Sequence, residues 1–138
     1  MDEELNPFTA RVIGFVDEAG ELVPDVEEAD SYNLLINVGA EDDVKVGERV
    51  LVFALGSQIL DPETKEPLGH FEIVRGPGKV TSVQVKMAIV RSLRTKTVRY
   101  QRPQTFQGIA TGMLGDYGER EDEAPFRAAR IGDYIRFV

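Results

Sequence analysis

The 138 residues contain no cysteine and no tryptophan. Without thiols there is no disulfide, no thiolate metal site and no cysteine nucleophile, so packing alone must hold the fold. Histidine occurs once, as His70. A lone imidazole acts as a general base only beside a nucleophile and an orienting group, and no spacing in the chain supplies them. No run approaches the ~18 consecutive apolar residues that cross a bilayer as a helix. The opening residues Met1 to Pro7 are acidic with no apolar centre, the reverse of a secretory or transit peptide, which makes a cytoplasmic location the expectation. Carboxylates are also missing, but only locally: residues 73–115 hold eight Lys and Arg and no Asp or Glu.

What is present is acidic and β-patterned. The net charge of -8 disfavours membrane surfaces and nucleic acid as bulk partners. It is unevenly spread, with net -14 over residues 1–72, +8 over 73–115 and -2 over 116–138. Hydrophobic residues at 42% and charged residues at 29% lie in the globular range, and the length suits one domain spanning 1–138, with 1–8 frayed and 116–125 a flexible polar loop.

Successive side chains of a strand point to opposite faces, so Leu34, Ile36 and Val38 form one buried face with Asn33, Leu35 and Asn37 opposite. Gly39 to Asp43 breaks that strand with an acidic turn. Apolar residues resume at Val44, Val46, Val50 and Val52, and Gly47-Glu48 reads as a tight turn between them. Before this, 10–16 and Leu22-Val23 form a hairpin about Asp17 to Glu21. After Ile59-Leu60, the stretch Asp61-Pro62-Glu63-Thr64-Lys65-Glu66-Pro67 has two prolines and no apolar side chain, the mark of an exposed hairpin tip.

The order of Ile36-Asn37-Val38-Gly39, an acidic turn, Val44-Lys45-Val46-Gly47-Glu48-Arg49, an apolar run, Ile59-Leu60-Asp61-Pro62-Glu63-Thr64 with Leu68-Gly69, and then Val80 to Val90 resembles the C-terminal domain of the flagellar assembly protein T family. The likeness covers about residues 32–93. Lys65 stands where that family usually has glycine. The resemblance implies a small β-barrel-like module and a place in a larger particle, whether a bacterial appendage or a phage-like assembly.

Gly76-Pro77-Gly78 reads as a turn, and Lys79 to Leu93 as one strand with Val83, Val85, Met87 and Ile89 on its inner face. Because Val80 is out of phase with Val83, a bulge is expected near Thr81-Ser82. Arg94 to Pro103 has β propensity but few apolar residues and reads as an exposed edge strand. Arg130-Ile131-Gly132-Asp133-Tyr134-Ile135-Arg136-Phe137 echoes Lys45 to Val52, which suggests one turn-into-strand device used twice and a last strand lying near Val50. The expected fold is therefore all-β, a small antiparallel β-barrel or barrel-like sandwich of SH3 or OB size with little helix. Its core is drawn from Val12, Leu34, Ile36, Val50, Val52, Val83, Val85, Met87, Ile89, Ile135 and Phe137.

No catalytic, metal or cofactor site is expected. The pairs Asp42 with Asp43 and Asp61 with Glu63 lie in turns that account for them. Asp25, Glu27, Glu28 and Asp30 lack EF-hand spacing, and Gly108, Gly112 and Gly115 lack the P-loop lysine. Two functional readings remain. The first is a non-enzymatic protein-interaction or assembly module whose partner is another protein or a second copy, with no membrane involved. The second is anion or single-stranded nucleic-acid binding through residues 91–102, where Arg91, Arg94, Lys96, Arg99 and Arg102 surround Tyr100. The net charge weighs against the second.

Overall fold

The computed structural model describes residues 10–23, 31–101 and 117–138. The frayed start, the acidic cluster at 25–30, Arg102 and the glycine-spaced stretch lie outside these residues. Among the described residues nine strands form, in chain order β1 Val12–Val16, β2 Leu22–Val23, β3 Asn33–Ile36, β4 Arg49–Leu60, β5 Pro67–Val83, β6 Ala88–Ser92, β7 Thr95–Gln101, β8 Tyr117–Glu123 and β9 Tyr134–Phe137. The described helix content is one 3-10 turn at Ala40–Asp42. The all-β expectation holds.

Seven strands form an antiparallel sheet in the order β2-β1-β3-β6-β5-β4-β9, and β7 pairs with β8 in a second, two-stranded sheet. The large sheet is not closed into a barrel. Its ends meet where Val12 N–H donates to Asp133 O (2.8 Å), Gly132 N–H to Val12 O (2.8 Å) and Ile135 N–H to Ala10 O (2.9 Å), but only the isolated bridge of Arg11 with Tyr134 marks that seam. Sheet twist brings the edges together at one end, and the short strands β1 and β9 run out before a continuous ladder forms.

The core comprises Val12, Phe15, Leu34, Ile36, Val50, Val52, Val80, Val90, Phe126 and Ile135, joined by smaller residues. Four expectations need correction. Gly76-Pro77-Gly78 is mid-strand in β5 rather than a turn. A Cβ at Gly78 would lie 2.9 Å from the Phe126 ring and 2.5 Å from Val90, and one at Gly76, where φ is +141°, would meet the Arg94 stem. Gly78 is thus the notch that admits Phe126, and Gly76 the one that admits Arg94. Pro77 is tolerated because β6 ends at Ser92, beyond which Leu93 N–H donates to Pro77 O (2.9 Å) and no donor is needed from Pro77.

Residues 79–93 are also two strands and not one. Gln84 N–H donates to Met87 O (2.7 Å) in a turn that resets the alternation, so Ala88 and Val90 face inward, Ile89 faces outward, and Val85 is exposed. That turn has no glycine, proline or asparagine. Its carbonyls are instead capped from outside, Ala40 N–H donating to Gln84 O (2.8 Å) and Glu41 N–H to Val85 O (3.1 Å). The expected bulge is present, as a register shift between Val80 and Ser82. Phe137 is exposed rather than buried, and Tyr117–Glu123 within the expected loop 116–125 is strand β8, in antiparallel register with β7.

The echoed segments do build the same device. Gly47 and Gly132 both take positive φ (98° and 94°), and the acid after each glycine accepts an N–H from three residues earlier, Glu48 from Lys45 (2.7 Å) and Asp133 from Arg130 (2.8 Å). The strands they launch then pair with each other, Val50 opposite Phe137 and Val52 opposite Ile135.

Two substitutions test this packing. A Cβ at Gly39 would sit 2.6 Å from Met87 N and 2.7 Å from Val85 O, backbone atoms that cannot rotate away. Gly39→Ala should therefore cost roughly 1–3 kcal/mol of stability in urea titration, the range of overpacked sites. Lys65, at φ 64°, occupies the tip position where glycine carries no steric penalty. Lys65→Gly should leave stability unchanged or raise it by up to about 1 kcal/mol, and a loss larger than that would show that the Lys65 side chain is needed.

Candidate interaction surfaces

β4 and β5 are far longer than their neighbours. β9 covers β4 only over Val50 to Phe53, and β6 covers β5 only from Gly78 to Val83. Past these points the two strands continue as a ribbon, paired from Phe53 with Val74 out to Leu60 with Pro67. The tip is a tight turn in which the Asp61 carboxylate accepts N–H bonds from Glu63 (2.8 Å) and Thr64 (3.1 Å). These backbone bonds to Thr64 and Glu63 hold the Asp61 carboxyl below its usual range. Asp61 thus serves turn geometry, as a short acidic side chain does.

The ribbon's apolar residues have little to pack on. Phe71 is 60% exposed, and Ile59, Leu60, Leu68, Ile73 and Val74 are also exposed. Phe71 and Ile73 are two apart and share a face of β5. Ile59, opposite Gly69, falls on that same face. The other face carries Glu72, His70 and Gln58, with His70 Nδ1 3.1 Å from the Gly56 carbonyl.

The ribbon's base is braced on both sides. On one, the Arg136 guanidinium grips both oxygens of Glu72 (Nη1 to Oε1 3.1 Å) and stacks over Phe53 at 4.6 Å, while Arg11 lies 4.3 Å over the Tyr134 ring and bonds its hydroxyl. On the other, Arg75 Nε meets the buried Asp133 carboxylate at 3.1 Å and Arg127 N–H donates to Arg75 O (2.8 Å).

The basic segment does not assemble into one surface. Arg91, on β6, donates to Glu123 (2.7 Å) and Glu18 (3.2 Å) and lies 5.6 Å over the Tyr32 ring. Arg94 bonds the Pro125 carbonyl with its stem against Gly76. Lys96 and Arg99 fall on opposite faces of β7, directly across from Asp122 and Glu119 respectively. Tyr100 sits opposite Gly118 with the Arg120 guanidinium 5.5 Å over its ring. Each described cation from Arg91 to Arg99 thus meets a carboxylate, a carbonyl or a facing acid, and the cations that do stand in a row, Arg49, Lys79 and Arg91 across β4, β5 and β6, include one that Glu123 and Glu18 already hold. Arg102 lies outside the described residues.

Reasoning from sequence placed the tip but missed the apolar ribbon beneath it. The available signal was Leu68, Phe71, Ile73 and Val74 running on from a polar tip with no facing segment to bury them. Among the described residues no group of three His, Asp or Glu is arranged to hold a metal, and no helix is long and apolar enough to cross a membrane. The chain matches no family model, no curated protein and no solved structure.

The ion pairs set a pH dependence. Hydrogen bonding to Arg136 holds the Glu72 carboxyl below its ordinary value of 4.5, and hydrogen bonding to Arg91 does the same for Glu123. A depressed folded pKa contributes stability that is fully present above the ordinary glutamate range and is lost as pH falls through the folded value. Glu72→Gln should accordingly lower the urea midpoint at pH 7 and lower it less at an acidic pH below the ordinary glutamate range, where wild type is losing the same pair. An equal loss at both pH values would show that the contact acts through packing rather than charge.

Proposed function

We propose that this chain is a non-enzymatic protein-interaction or assembly module, a subunit of a larger particle of the appendage or phage-like kind implied by its resemblance to the flagellar family. The observation that carries the reading is the β4–β5 ribbon, which holds Phe71, Ile73 and Ile59 out in water on one face. Exposed apolar surface concentrated on one projecting element marks an interaction site, since isolated monomers seldom expose such contiguous patches. A ribbon that left its body only to be solvated would gain nothing from these side chains. The charge pairing within β6, β7 and β8 also supports a protein partner over a polyanion.

Light scattering coupled to size exclusion tests this, run at low and high salt with and without a short single-stranded oligonucleotide. The expected result is a mass above the 15.3 kDa of one chain that returns to it in the Ile59→Ser/Ile73→Ser double variant, with no co-elution of the oligonucleotide. Oligonucleotide binding that falls steeply with salt and is lost on Arg94→Gln and Arg99→Gln would replace this reading with the nucleic-acid one. A double variant that assembles as wild type does would remove the ribbon from the account.

A further inference from the structure

We infer that the partner of the ribbon is a second copy of this chain, joined through the outer edge of β5 as an antiparallel strand pair centred on Phe71. The inference rests on the assembly reading and names its contact. Four observations carry it.

The edge is open and of defined length. Among the described residues nothing pairs with the outer side of β5 between Leu68 and Val74, whereas the next carbonyl, Arg75 O, is taken by Arg127 N–H at 2.8 Å. An unpaired strand edge is a template for another strand. The run from His70 to Val74 is regular, because the extra residue between Leu55 and Gln58 belongs to β4, and β5 itself bulges only at the ends of this run, at Leu68 beside Gly69 (φ 116°) and at Arg75.

The edge is complementary to itself. A two-fold axis through Phe71 sets Phe71 opposite its own copy, His70 opposite Glu72, Gly69 opposite Ile73 and Leu68 opposite Val74. Aromatic pairs, apolar pairs and an imidazole facing a carboxylate are the cross-strand partners that stabilise antiparallel sheets, and this register brings no like charges together. The axis lies perpendicular to the four-stranded sheet it creates, so Phe71, Ile73 and Ile59 of both copies share one face.

The ends match in charge. In this register the tip of each copy, with Asp61, Glu63 and Glu66 against Lys65, comes to the base of the other ribbon. Arg127 stands there, exposed and fixed at the β5 edge by its bond to Arg75 O. Complementary charge at both ends fixes the antiparallel sense and opposes slippage.

The other ribbon-like element is built against such pairing. β7 and β8 carry Lys96, Arg99, Glu119, Arg120, Glu121 and Asp122, charges of the type that protect edges, whereas Leu68 to Val74 carries only Glu72, which Arg136 already holds. The exposed portions of Leu68, Phe71, Ile73 and Val74 come to roughly 400 Å², about half of what one partner buries in a standard interface, so the dimer is concentration-dependent.

The test uses the position that meets itself. Phe71 is exposed, so Phe71→Lys and Phe71→Glu leave the fold intact by far-ultraviolet circular dichroism, and in sedimentation velocity each alone should stay at the single-chain mass because like charges face across the axis. An equimolar mixture of the two should recover the dimer that wild type forms as its concentration rises. Exchange of the amides of Gly69 to Ile73 should slow in that dimer. A Phe71→Lys variant that associates as wild type does overturns this contact while leaving the assembly reading in place. A wild-type chain that stays single up to roughly millimolar concentration overturns it too, and an Ile59→Ser/Ile73→Ser effect on binding to a different protein would then keep the assembly reading alone.

Discussion

The ring of Phe126 packs on β5 in space that a Cβ at Gly78 would otherwise fill, and much of the architecture depends on that contact. Because Gly78 yields to it and Gly76 yields to the Arg94 stem, β5 continues through the core without turning. Phe126 in turn fastens the segment between β8 and β9 to the body, since its N–H donates to Ser31 O at 2.8 Å. From there Arg127 and Asp133 tie the same segment to Arg75 on β5, and β9 is delivered onto β4. Phe126 and Arg94 thus pack where β5 continues past the end of β6, and that continuation carries the hairpin beyond the sheet as a ribbon. Burying an aromatic ring is among the larger single contributions available to a core of this size.

Much of the charge segregation along the described chain resolves into pairing within the fold, although Lys79 stands between Arg49 and Arg91. The carboxylate-free block from 73 to 115 meets acids drawn from both flanks: Arg91 takes Glu18 and Glu123, Arg75 takes Asp133, and β7 lies against the acidic β8. The exposed pairs among these contribute little each, and their greater effect is on register and partner choice. Strand β8 illustrates this, because few of its side chains are apolar and facing charges set its alignment on β7. The ribbon obeys a different rule, with apolar side chains and few charges, and that contrast is what marks it as an interaction element.

How much was legible follows from the range of each interaction. Period-two alternation is local, so β1, β3 and β4, the bulge near Thr81 and the tip at Asp61 to Pro67 could be read directly. The repeated glycine-acid device was legible for the same reason, since its hydrogen bonds span three residues. The turn at Gln84 to Met87 was not, because its carbonyls are capped by Ala40 and Glu41 from a distant loop. The candidate surface was legible only as composition. Nothing local tells whether Phe71 and Ile73 are core or contact until the lengths of the neighbouring strands are known.

Sequence alone decided the all-β class, most strand positions, the turns closed by their own residues and the lack of thiol chemistry, because each follows from backbone preference or composition within a few residues. Tertiary structure decided the rest. Whether Gly76-Pro77-Gly78 turns or runs straight depends on a ring fifty residues away, and whether the sheet closes depends on where β1 and β9 run out. Whether a cation is available depends on the acid folded opposite it, and whether an apolar residue is core or contact depends on how far its neighbours extend. Packing and charge pairing act through space, and the strand pattern does not record which distant residue arrives.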